Sequence, residues 1–289
     1  MEVQFRGASR QFTLDTILSD QLQVPQAKII WRTKALLPDG TPDPQNEELI
    51  QIASGGINIV SSRDARKNVR SSMGIALDLA SQGMRVLYVN SYAGLELLRN
   101  SLKGELDRLD IIRQSVRNVQ SNSSDTTTTS PIPLAEDAEF KSRFQILDVK
   151  MGMWDWYSAW IENALFEENN IAYHSEETVL VQKCDTLVIN SYEFAAIDYR
   201  AKLNIATRLA KWLEKISLTV VIYTQEVKAL MEAGVPVRGP LGLLTTSAAT
   251  LAKVDFVKKG RTNILNEKDK SNYENVPNTD NKILYSEAA

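Results

Sequence analysis

The chain has 289 residues, 43% of them hydrophobic and 24% charged, with a net charge of −3. That balance is ordinary for a globular protein, leaves room for one large α/β domain with additions, and gives no global electrostatic reason to bind nucleic acid or acidic membranes. One cysteine, Cys184, and one histidine, His174, exclude an intramolecular disulfide framework and the usual zinc sites.

No apolar run approaches the ~20 residues of a membrane span. The segment MEVQFRGASRQF has no apolar signal core. A reducing, cytoplasmic setting without a membrane partner is expected, with Cys184 as a buried, inert thiol ahead of a core strand.

Residues 1–50 read as an N-terminal extension. Within it, 12–22 (FTLDTILSDQL) suit a short amphipathic helix, and 37–45 (LPDGTPDPQ) form a turn-rich loop. Residues 47–53 connect to the core, which spans 51–260. From Gly55 to Asn90 the chain reads strand, loop, helix, strand. The apolar run 57–60 suits a buried strand. Val69, Met73, Ala76, Leu77 and Ala80 share one face of a helix that Gly83 ends, and 86–89 (VLYV) is a second buried strand. This is the βαβ unit of a parallel sheet.

A long helix is predicted over 94–119, its face built from Leu95, Leu98, Leu102, Leu106, Leu109 and Ile112. The polar tract 121–133 (SNSSDTTTTSPIP) cannot bury a core, so a disordered insertion over 120–140 is expected. A third strand follows at 144–149, then a helix with Met153, Trp156, Trp160, Ile161 and Ala164 inward and Trp154 off the stripe. Strand four is 186–189 (TLVI). A helix over 199–216 turns Leu203, Ala206, Leu209, Ala210, Leu213 and Ile216 inward, and strand five is 219–223. A Gly- and Pro-rich loop over 233–243 carries Arg238. A helix over 246–252 and a sixth strand at 254–257 close the core. Residues 262–265 and 282–285 alternate like an edge hairpin within a C-terminal region, 261–289. The fold class is therefore α/β, a mostly parallel sheet flanked by helices with a C-terminal β-hairpin-like edge.

The loop after the first core strand, SSRDARKN at 61–68, stands where a phosphate-binding G-x-x-x-x-G-K-[ST] loop would sit. Only Lys67 matches. Ser61 and Arg66 replace the glycines, and Asn68 replaces the hydroxyl residue. Lys67 lies sixteen residues before Gly83. VLYVNSY, CDTLVINSYEFAA, RLAKWLEKISLTVVIYTQ and VPVRGPLGLLTTSAATLAKVDFV follow in order. In this order the pieces resemble the RecA-like ATPase core of RecA and the DnaB-type helicases, over Gly55 to Gly260.

The resemblance implies a RecA-like sheet and locates a vestigial nucleotide site at Ser62, Arg66, Lys67, Asn68, Asn190 and Gln225. It also marks the losses. Tyr92 stands at the position of the catalytic glutamate, and Asn190 at that of the aspartate supporting Mg²⁺. No catalytic residue, metal or tightly held cofactor is expected, and weak ATP binding at the basic cluster around Lys67 is the most these residues allow.

Three readings of function follow. The first is a catalytically degenerate RecA-like accessory protein in DNA recombination, repair or replication. It would assemble as an oligomer, or as a hetero-complex with an active RecA-like ATPase or another DNA-processing protein. Arg63, Arg70 and Arg238, with Arg66 and Lys67 beside the first two, are its candidate contacts to DNA phosphates. The second is an unorthodox ATPase that uses Lys67 and Gln225 and draws a metal-binding carboxylate from Asp64, Glu193 or the less well placed Asp185. The third is an α/β ligand-binding protein unrelated to RecA, its site at the C-terminal edge of the sheet.

Overall fold

The computed structural model describes residues 28–32, 50–121, 132–149, 152–167, 169–173 and 178–253. An antiparallel ribbon of β1 (Ile29–Arg32) and β2 (Gln51–Ala53) leads into β3 (Ile57–Ser61), α1 (Ala65–Ser81), β4 (Val86–Asn90) and α2 (Leu95–Ser121). Next come α3 (Ala138–Arg143), β5 (Phe144–Asp148) and α4 (Trp154–Phe166). A separate hairpin of β6 (Asn169–Tyr173) and β7 (Thr178–Gln182) follows. The chain continues through β8 (Thr186–Ile189), α5 (Tyr192–Ala195), α6 (Tyr199–Lys215), β9 (Thr219–Thr224), α7 (Glu226–Glu232), α8 (Gly239–Thr246) and β10 (Ala248–Lys253). No described helix is long and apolar enough to cross a membrane.

Six strands form one parallel sheet in the order β10-β3-β9-β8-β4-β5. The arrangement is consistent with a RecA-like α/β fold. Strands β3, β4, β8 and β9 are buried along their whole length. A parallel sheet covered on both faces demands this, and it is why these segments read as unbroken apolar runs. Alternate residues serve two cores. Val60, Val86, Tyr88, Val188, Val221 and Tyr223 pack under α1, α2 and the ribbon. Ile59, Leu87, Val89, Leu187, Ile189, Val220 and Ile222 pack under α4, α6 and α8.

Local signals explain the element ends. Asp64 caps α1 by accepting from Lys67 N at 3.1 Å. At the other end Gly83 has φ 96, Gly83 N bonds Ala80 O, and Met84 N bonds Leu79 O at 3.1 Å. This Schellman pattern needs a residue tolerant of positive φ. The ribbon is pinned to the helical layer by Asp78 of α1, which accepts from Trp31 Nε1 at 3.1 Å and Arg108 Nη2 at 2.9 Å. Burial raises the Asp78 carboxyl above its ordinary pKa, against the opposing pull of Arg108.

Several expectations are corrected. On α4 it is Trp154 that is fully buried, at 0%, while Trp160 is 54% exposed and Met153 is exposed as well. The inward stripe is Trp154, Ser158, Ile161 and Leu165, at i, i+4, i+7 and i+11. Ile161 and Ala164 of the expected stripe are buried, while reading Trp160 and Trp154 by residue type rather than by period misplaces both. On α6 Leu203 points outward, and on α2 so do Leu95 and Ile112.

The segment expected as a helix over 246–252 is mostly β10, and the helix, α8, lies earlier, beginning inside the expected loop. Gly239 and Pro240 start it, since Pro is suited to the first helical positions. Thr250 and Leu251 then pair with Asn58 and Ile59 of β3. Residues 132–140 are ordered rather than part of the insertion, with Leu134 and Phe140 in the core. The expectations for 12–22, 37–45, 122–131, 254–257, 262–265 and 282–285 lie outside the described residues.

The two tryptophans of α4 give a direct check. Trp154→Ala is expected to cost about 3–5 kcal/mol, the usual range for emptying a buried aromatic site. Trp160→Ala is expected to stay within about 0.5 kcal/mol, as surface changes do. Urea denaturation of both variants beside the parent measures the difference.

Candidate functional site

In a parallel sheet the strands' C-terminal ends share one edge, and a crevice opens wherever neighbouring strands send their following helices to opposite faces. Two such places exist here. Strand β3 continues to α1 on one face while its neighbour β9 continues to α7 on the other. Strand β4 continues to α2 while its neighbour β8 continues to α5 and α6. Ser62, Arg66, Lys67, Asn68 and Gln225 lie at the first crevice, and Asn190 at the second, two strand spacings or about 10 Å from β3. The predicted residues therefore share one edge, in two neighbouring clefts.

Across the first crevice the chain's own groups bond one another. Ser62 N donates to Thr224 O at 2.9 Å, tying the loop to the end of β9. The buried Ser61 hydroxyl accepts from Lys228 N of α7 at 2.7 Å. Arg63 pairs with Glu232, which also lies 3.8 Å from Lys228 Nζ. The Asp64 carboxylate sits at the N-terminus of α1, the place where backbone N–H groups and the helix dipole would otherwise attract a phosphate. Asn68 is fully buried. Its Nδ2 reaches Ser62 O at 3.5 Å, and its Oδ1 has no partner. Lys67 is half-buried, and Arg66 and Arg70 are exposed on the outer side of α1. Gln225 precedes α7. Its backbone N–H is used, and its side chain makes no helix-cap bond.

The second crevice is closed by amides. Asn190 Nδ2 donates to Asn90 Oδ1 at 2.6 Å, across neighbouring strands. Asn90 Nδ2 donates onward to Asp148 Oδ1 at 2.6 Å and to Ala93 O at 2.8 Å. Asn190 Oδ1 accepts from Ser91 N at 2.9 Å and Ser91 Oγ at 3.1 Å. Both asparagines are buried. Above them the rings of Tyr92 and Phe194 meet at 4.7 Å between centroids.

The three carboxylates considered for a metal all have structural work. Glu193 Oε1 accepts from Thr224 Oγ1, from Gln225 N at 2.6 Å and from Glu226 N at 3.0 Å. Its Oε2 accepts from Ser191 Oγ at 3.2 Å. It thus caps α7, whose own Gln225 supplies no cap. Asp64 caps α1. Asp185 lies at the opposite end of β8, paired with Arg85 at 3.1 Å. Sequence reading missed the capping role of Glu193, because its partners lie more than thirty residues away. The pair Asn90–Asn190 was legible only as two strand-ending asparagines.

Of the arginines expected to meet phosphates, Arg63 is engaged by Glu232 at the first crevice. Arg238 stands apart on the opposite face, exposed, at the N-cap of α8. Cys184 is buried. Burial first, then the nearby Asp185 charge, pushes its thiol up to about 12, so it stays protonated as expected. Compared with known proteins, the chain matches no family model and no curated sequence.

The amide chain has a direction, from Ser91 through Asn190 and Asn90 to Asp148. Asn190→Asp turns a donor into an acceptor that faces Asn90 Oδ1. It is expected to cost about 2–4 kcal/mol, as for a buried group stripped of its partner. Burial raises the pKa of the new carboxyl above its unfolded value. The penalty is therefore full above that raised pKa and shrinks as pH falls through it. Denaturation at several pH values reads this; a penalty that does not shrink on acidification counts against the network.

Proposed function

We propose that the chain is a catalytically degenerate RecA-like accessory protein, an assembly or regulatory subunit in DNA recombination, repair or replication. One observation carries the reading. At both crevices at the C-terminal edge, where such a fold would hold its nucleotide, the chain's own groups are bonded to one another. The residues do not fit a magnesium-bound nucleotide. Asp64 occupies the helix N-terminus that would take a phosphate. Asn190 is committed to Asn90, and Glu193 to the start of α7. A carboxylate that already accepts two backbone N–H groups is not placed to orient an attacking water.

Numbered among themselves in chain order, the parallel strands run 6-1-5-4-2-3, which is neither of the common doubly wound orders. On this reading the fold is kept for its surfaces, and its partners are proteins, an active RecA-like ATPase among them.

The test has two arms. Mg²⁺–ATP titrated into the full chain is expected to give no binding heat and no phosphate release, with Lys67→Ala indistinguishable from the parent. The chain, added in equal amount, is expected to change the DNA-dependent ATPase rate of an active RecA-like protein from the same source. Phosphate release that Lys67→Ala abolishes would overturn the proposal in favour of an unorthodox ATPase.

A further inference from the structure

We propose that Ile283, Leu284 and Tyr285 of this same chain dock into an apolar groove between α7, α8 and β10, brought there by the tether that joins them to Lys253. The inference goes beyond the accessory-subunit reading and does not rest on it.

The groove has a volume of about 480 Å³. Val227 lines it and is fully buried, while Met231, Val235 and Leu251 line it and are 44%, 47% and 42% exposed. Its walls are preformed. Gly234 has φ 68 and follows the end of α7, with Val235 N donating to Leu230 O at 2.8 Å. The loop then runs so close to α8 that a Cβ at Gly242 would stand 2.7 Å from Val237 O. Glycine is what lets the loop pack on that helix. An apolar surface already held open by backbone needs little ordering when an occupant arrives.

The lining sets the chemistry of what fits. Among the described residues, no charged side chain lines the groove. Its two hydroxyls are taken up by α8 itself: Thr245 Oγ1 donates to Gly242 O at 2.9 Å, and Thr246 Oγ1 to Gly242 O at 3.0 Å. Nothing there pairs an ion or rewards a polar ligand, so the groove takes aliphatic and aromatic side chains. Exposed apolar surface of this kind marks a contact site.

The chain offers such side chains at close range. Leu251 lines the groove, β10 ends two residues later at Lys253, and the sequence continues from there. Residues 254–289 lie outside the described residues. From 266 to 282 (NEKDKSNYENVPNTDNK) the sequence is polar, with Tyr273 and Val276 its only hydrophobic residues. Ile283, Leu284 and Tyr285 then follow without a break. A tether of about 30 residues behaving as a coil spans roughly 30 Å, enough to return them to the groove. It holds them at an effective concentration near millimolar, on the order of a thousand times that of a second copy at micromolar concentration. The segment in cis therefore outcompetes the same segment in trans. Ile264 and Leu265 are nearer but bring two large apolar side chains rather than three, and they make the control.

The test is the rate of maleimide labelling of the full chain carrying Val235→Cys, which puts a thiol on the groove. The native Cys184 is buried and its thiol is pushed up to about 12, so it is silent while the protein is folded and reports any variant that is not. Replacing Ile283, Leu284 and Tyr285 together by Ser is expected to speed labelling roughly tenfold, the ratio for a millimolar tether over an intrinsic Kd of about 0.1 mM. Replacing Ile264 and Leu265 by Ser is expected to leave the rate unchanged. Protection is expected to be independent of protein concentration, and a synthetic peptide of residues 279–289 at about 1 mM is expected to restore it to the triple variant. Met231→Cys, at a second lining position, repeats the reading.

Equal labelling rates with and without the three residues would overturn the proposal, as would a peptide that restores no protection. Equal sensitivity to Ile264 and Leu265 would overturn it in favour of an edge hairpin in which the two segments act together. Protection that grows with protein concentration would overturn it in favour of a second copy in the groove. None of these outcomes bears on a partner's ATPase rate, so failure here and failure of the accessory reading are distinguishable.

Discussion

The hydrogen bond from Asn190 to Asn90 joins two neighbouring strands through side chains, 100 residues apart in sequence. A buried amide must satisfy both its oxygen and its nitrogen. Satisfying Asn190 fixes Asn90, and satisfying Asn90 requires an acceptor on Asp148 at the end of β5 and the turn at Ala93. One pairing thereby sets the ends of three adjacent strands and the loops that leave them. The loop after β4 is held over the loop after β8 by Ser91 Oγ bonding Ser191 O at 2.6 Å, and the contact of Tyr92 with Phe194 lies on top. The crevice that this fold would leave open is consequently part of its polar core.

The four central strands and α1 were legible because burial on both faces leaves unbroken apolar runs, and because Gly83 marks a helix end chemically. What failed did so for identifiable reasons. Trp160 reads as core by residue type, yet it belongs to the outer face, since the period that selects Trp154, Ile161 and Leu165 excludes it. Strand β10 is half-exposed, and its short run of alanine and threonine carries no helix or strand signal stronger than pairing with β3. The ribbon strand β1 was invisible because its one anchoring residue, Trp31, earns its place through Asp78, a residue of α1.

The candidate site was legible in location and illegible in use. Lys67, Asn68, Asn190 and Gln225 do reach one sheet edge, because strand ends in a parallel sheet must. Their chemistry depends on partners that no local pattern names. Glu193 is three residues past Asn190, close enough to suggest a displaced metal ligand, but its carboxylate is drawn to the start of α7 because that helix lacks a cap of its own. Asp64 inside the loop similarly supplies the anion that the α1 N-terminus would otherwise seek from a ligand.

On the proposed reading these substitutions are coupled rather than scattered. An asparagine at 190 is useful only if position 90 presents an acceptor, and Asn90 can do so only while its own amide donates to Asp148. An aspartate at 64 neutralises the helix end. Serine at 61 offers α7 an acceptor that glycine could not. Each change leaves a polar group satisfied by another member of the set, so exchanging any one alone strands its neighbour in a buried setting where unpaired groups are costly. A site worn down by random loss would leave orphaned polar atoms throughout. Of the buried side-chain atoms without a partner among the described residues, Asn68 Oδ1 is the one that belongs to the predicted site, which favours a fold reorganised around these bonds over one that merely decayed.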